Sequence, residues 1–142
     1  MRSLLALTLG AVVLAASAGA ALAAPPDGDW TLVRKDGYVH YACKSRGKVA
    51  GRWVIRTASW VNGHARDAYT DHIGVYAAVA RRSNKNLVDE ADSRAWRRGY
   101  VFMTLRGAAD GDRLWLQAAA YGPPRPWSNG FRIRRITRCN VA

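Results

Sequence analysis

The chain has 142 residues, with 22 Lys and Arg against 10 Asp and Glu, a formal net charge of +12. Once an N-terminal leader is set aside, that length supports one domain around one hydrophobic core and excludes a multidomain architecture. The positive surplus draws acidic polymers, nucleic acid or anionic surfaces, although an arginine-rich codon bias leaves the same composition.

The leader comes first. Met1-Arg2-Ser3 is a short basic start, residues 4–16 are almost continuously apolar, and Ala21-Leu22-Ala23 is a small-x-small pattern. Residues 1–23 therefore read as a secretory signal peptide cleaved after Ala23. A spanning helix needs about 20 strongly apolar residues, and the Leu-rich part is shorter. The mature chain is expected outside the cytoplasm as a monomer without a membrane span. No twin arginine opens the leader and no cysteine follows the cleavage site, which favours general secretion without a lipid anchor. Residues 24–29 form a short polar linker, and residues 30–142 a single β-rich domain.

Residues 30–34 alternate and predict a strand. Asp36-Gly37 supplies the tight hairpin turn, and residues 38–43 return. Residues 49–61, rich in aromatic and β-branched types, predict another strand, closed by Asn62-Gly63. Ile73, Val75, Ala77 and Val79 alternate with His72, Gly74, Tyr76, Ala78 and Ala80, which favours a strand over residues 72–80, although the alanine content leaves a helix open. Residues 87–98 are the best helix candidate, since Asn86 can cap it, acidic residues lie early, Arg94, Arg97 and Arg98 lie late, and Gly99 follows; a strand stays open, because neighbours can override propensity. Residues 100–106 and 113–121 alternate again. Residues 122–127 form a stiff proline loop. The last segment, 131–138, places Ile136 out of parity with Phe131 and Ile133, so a bulge at Arg134-Arg135 is expected. The expected fold is mainly β: a small antiparallel sandwich or partly closed barrel of about seven strands, with one short helix over 87–98.

Cys43 and Cys139 are the only cysteines. In an exported chain they predict one disulfide, which closes nearly the whole domain and contributes about 4–5 kcal/mol by the chain-entropy argument. It places the second strand beside the last. Two cysteines so far apart, with no histidine pattern nearby, do not predict a metal site.

No motif names a reaction. His64, Asp67, Asp71 and His72 are the candidate catalytic group, able to supply an acid/base pair, but their spacing matches no known mechanism. His40, mid-strand between Val39 and Tyr41, reads as a structural or surface residue. No Gly-x-Ser-x-Gly stands after the leader, and no glycine-rich phosphate loop or paired metal histidines occur, so no cofactor is implied.

Binding has more material. Arg132, Arg134, Arg135 and Arg138 crowd the C-terminal segment. Arg81, Arg82 and Lys85 form a second basic group, and Arg94, Arg97 and Arg98 a third. If they converge they make a phosphate- or carboxylate-binding stripe. Trp53, Trp60, Trp96 and Trp115 sit among apolar neighbours and are expected in the core, whereas Trp127, in the proline loop, is the expected exposed ring. The leading expectation is a basic binding protein for an acidic wall polymer or nucleic acid. The alternatives are a small secreted hydrolase of nuclease type, or an inhibitor presenting the rigid Pro124-Arg125-Pro126-Trp127 loop.

Overall fold

A computed structural model describes residues 28–61, 72–119 and 130–140. The expected leader, the candidates His64, Asp67 and Asp71, and the proline loop with Trp127 lie outside the described residues.

The described residues form eight strands: β1 (Thr31–Lys35), β2 (Val39–Arg46), β3 (Trp53–Val61), β4 (Ile73–Ala80), β5 (Leu87–Ala95), β6 (Gly99–Ala108), β7 (Arg113–Ala119) and β8 (Phe131–Arg132). They form two antiparallel four-stranded sheets, ordered β1-β2-β3-β6 and β5-β4-β7-β8, packed as a β-sandwich rather than a closed barrel.

Alternation dictates the packing. On β3, Ile55, Thr57, Ser59 and Val61 point inward. On β4, Ile73, Val75, Ala77 and Val79 face the same core. Leu105, Leu114 and Leu116 complete it, and each such buried side chain contributes about 1.5–3 kcal/mol. The first hairpin turns at Gly37, whose φ of +90° favours glycine over any residue with a Cβ.

The helix expected over 87–98 is not formed; Leu87–Ala95 is strand β5. The capping and charge signals are present, but β4 is largely buried, and its backbone amides and carbonyls need hydrogen-bond partners on both edges. β7 takes one edge and β5 the other. A period of two also runs through this segment, with Ala91, Ser93 and Ala95 on the more buried side and Glu90, Asp92 and Arg94 exposed. Tertiary pairing overrides local helix propensity here. Glu90 therefore does not serve a helix end: it accepts the Tyr76 hydroxyl at 2.8 Å across the strand pair.

Two seams close the sandwich. On one side β5 lies against β6, where the Arg106 amide donates to Asp89 Oδ2 at 2.8 Å. On the other, the chain leaves β8 through a 3-10 turn, Ile133–Arg135, and crosses to β2. That turn, not a bulge, returns Ile136 to the core beside Ile133. The crossing chain then lies along β2: the Lys44 amide donates to Thr137 O and the Cys139 amide to Lys44 O, both at 2.8 Å. The Cys43–Cys139 disulfide locks this junction.

Candidate anion-binding site

Strand register gathers the basic residues at one end of the sandwich. Arg46 faces Trp53, Trp53 faces Ala108, Ala80 faces both Leu87 and Arg113, and Arg113 faces Arg132. The β2–β3, β4–β5 and β6–β7 turns therefore share this end with β8 and the 3-10 turn. Arg94, Arg97 and Arg98 lie at the opposite end and do not join, since Arg94 pairs with Gly74 at the far end of β4.

Arg132 is the centre of the cluster. With Arg82 and Arg134 it lines a depression of about 130 Å³ that also includes Asp110 and Gly111. With Arg113 and Arg135 it lines a second, of about 490 Å³, whose apolar side is Val33 and Phe131. The like charges of Arg134, Arg113 and Arg82, in that order, hold the Arg132 guanidinium below its ordinary pKa, with slight desolvation and Arg135 adding less. Arg132 therefore stands among four like charges at the solvent-exposed surface, where salt screens their repulsion.

The two nearby carboxylates are already committed. Asp110 Oδ1 accepts the Trp53 indole at 2.7 Å. Asp112, buried, accepts the Ala109 amide at 2.8 Å and lies 3.6 Å from Arg81. Its backbone carbonyl also accepts the Ile133 amide at 3.0 Å, which fixes the start of the 3-10 turn.

Lys44 fixes the rest of that turn. It is buried, and its Nζ donates to Ile133 O at 3.3 Å and Arg134 O at 3.2 Å. Burial lowers its pKa, Asp110 opposes the shift, and Arg138 adds to it. Lys44, Arg46 and Arg138 all stack on the Trp53 ring, 4.6, 4.8 and 5.5 Å from its centre. Arg138 thus belongs to this aromatic support and lines neither depression. Arg81 turns to a separate groove between the β2–β3 turn and the β5–β6 seam.

Sequence reasoning found Arg82, Arg132, Arg134 and Arg135 and missed Arg113. A lone arginine at the start of a strand carries no signal until pairing sets it opposite Arg132. Of the tryptophans expected in the core, Trp53 and Trp115 are buried and Trp60 is half-buried. Trp96 is corrected: at 53% exposure it sits just beyond the end of β5, beside His72 at 5.7 Å between ring centres.

Among the described residues, His40 is the buried histidine. Its Nε2 lies 2.8 Å from Asp36 Oδ1 and its Nδ1 2.7 Å from Ser59 Oγ. The carboxylate accepts, so Nε2 donates to Asp36, and Nδ1 is left to share a hydrogen bond with the Ser59 hydroxyl. This is the hydrogen-bond order of a serine nucleophile, its base and its carboxylate. Yet Ser59 and His40 are wholly buried on the core side of the sheet, so no substrate reaches the hydroxyl. The chain of bonds ties the first hairpin turn to β3. Burial alone would raise the Asp36 pKa, but His40, Arg34 and the Tyr38 amide together hold it below its ordinary value.

Among the described residues, no group of three or more His, Cys, Asp and Glu is placed to hold a metal ion. No helix among them is long and apolar enough to cross a membrane. Comparison with protein families, with curated proteins and with solved structures finds no match for the chain.

Proposed function

We propose that the chain is a secreted protein that binds an acidic polymer, a wall polymer or nucleic acid, through the arginine cluster centred on Arg132. One observation carries the reading: Arg132 lines two adjoining depressions, one with Arg82 and Arg134 and the other with Arg113 and Arg135, against the single carboxylate Asp110. Two depressions share Arg132, which suits consecutive anionic groups on a chain better than one isolated anion. Secretion rests on residues 1–23 and agrees with the disulfide.

The test is retention of the purified protein on immobilised heparin at low salt, with elution as salt rises. The double variant Arg132→Glu, Arg134→Glu elutes at clearly lower salt. Failure of the wild-type protein to bind, or unchanged elution of the variant, overturns the proposal. Mass spectrometry of the exported product is expected to show a chain beginning at Ala24; an intact leader contradicts secretion by cleavage.

A further inference from the structure

The groove that takes Arg81 is a second site with different chemistry. It has a volume of about 700 Å³, within the ~300–1,000 Å³ range of small-molecule sites. Its cations come from separate elements: Lys48 and Arg52 from the β2–β3 turn, Arg81 from the β4–β5 turn, and Arg106 from β6. Its apolar wall is Val49, Val54 and Val88, and Val49 is 66% exposed at the turn. The one carboxylate lining the groove, Asp89, is held by backbone amides: Oδ1 accepts from Glu90 at 2.9 Å and Oδ2 from Arg106 at 2.8 Å. Arg81 is shared with Asp112 at 3.6 Å, so the positive charge over the valine wall comes chiefly from Lys48, Arg52 and Arg106, set against the single carboxylate Asp89.

We propose that this groove binds a single-chain amphiphile with a phosphate head. Arg52 and Arg106, which line the groove from separate elements with Arg81 shared with Asp112, suit a head that offers several oxygens in different directions. The valine wall suits an alkyl or acyl chain and gives nothing to a bare anion. The same chemistry occurs on a free alkyl phosphate and on a lipid headgroup. The site stands apart from the Arg132 cluster and does not rest on the polymer-binding reading.

The experiment is an amide-resolved NMR titration of the full mature chain with octyl phosphate, inorganic phosphate and octanol in parallel. Octyl phosphate is expected to shift the amides of Val54, Val88 and Gly107 and to bind about ten-fold or more tightly than either control, because head and chain each add affinity. Arg52→Glu with Arg106→Glu abolishes those shifts, and Val49→Glu, on an exposed turn, weakens binding without touching the fold. Arg132→Glu with Arg134→Glu leaves them unchanged. Equal affinity for inorganic phosphate or for octanol overturns the proposal, as does loss of the shifts in the Arg132, Arg134 variant alone. Anionic phospholipid vesicles separate the sources. Retention lost on Arg106→Glu assigns the site to a lipid head; octyl phosphate binding without retention assigns it to a soluble amphiphile, and either result upholds it.

Discussion

Arg81 and Arg82 are consecutive, yet each lines a different depression: Arg81 the groove beside β6, Arg82 the hollow shared with Arg132 and Arg134. The β4–β5 turn makes this division possible. The Arg81 amide donates to Asn86 O and the Lys85 amide to Arg81 O, both at 2.9 Å, and Lys85 takes a φ of 62° to close the turn. Reversing Arg82 to Glu is expected to weaken heparin retention more than reversing Arg81, since only Arg82 adjoins Arg132. Elution salt from a heparin column measures the difference.

Asp112 joins the β6–β7 turn to the arginine segment. Asp112→Ala removes the acceptor for the Ala109 amide and the partner of Arg81. The expected loss is about 1–3 kcal/mol, the cost of a buried hydrogen bond to a charged acceptor. Urea denaturation gives the value, and an unchanged midpoint would show that the turn holds without the carboxylate.

Asp36 gives the fold an acid-sensitive tie. Its folded pKa lies below the ordinary 3.8, so its contribution is fully present above the unfolded pKa and is lost as pH falls through the folded one. Asp36→Asn is expected to cost roughly 2 kcal/mol at neutral pH and to flatten the decline in stability below about pH 4. Ser59→Ala leaves His40 Nδ1 without the hydroxyl and is expected to cost about 1–3 kcal/mol. Thermal midpoints measured from pH 2 to 7 test both.

Gly130 lies flat against Trp115. A Cβ there would stand 2.8 Å from Trp115 Cε2 and 2.9 Å from Arg113 Cβ. Gly130→Ala is expected to destabilise by about 1–3 kcal/mol through overpacking and to shift Arg113, whose Nη1 donates to Gly130 O at 3.1 Å. Heparin affinity should fall along with stability; a stable variant with unchanged affinity would detach Gly130 from the site.

The disulfide spans 96 residues of sequence between β2 and the crossing C-terminal segment. Cys43→Ala with Cys139→Ala is expected to cost about 4–5 kcal/mol, chiefly through the unfolded chain. The hydrogen bonds on either side of Lys44 remain, so the variant should still fold in the cold. Denaturant titration with and without reductant measures the loss.

Turn chemistry and alternation make most of the strands legible in the amino-acid sequence. Asp36-Gly37 marks the first hairpin, and the parity of residues 73–79 marks the inward face of β4. Residues 87–95 mislead because their charges suit a helix end, whereas the edge of β4 decides their fate. His40 is legible as structural, but its partner Ser59 emerges only from the register of β2 on β3. The site follows the same pattern. Neighbouring arginines such as Arg132 and Arg134 stand out in the sequence, while Arg113 joins them only through strand pairing, and Lys48, Arg52 and Arg106 line their separate groove only once the turns fold to one end.

The central claim is that the Arg132 cluster neutralises consecutive charges on an acidic polymer, and the salt dependence of binding to duplex DNA, as a defined polyphosphate, tests it most directly. The wild-type protein should show log Kobs falling linearly with log salt, and Arg132→Ala with Arg134→Ala should reduce the slope by about 2, roughly one for each phosphate no longer neutralised. Absence of binding at low salt, or a slope that the double substitution leaves unchanged, would contradict it.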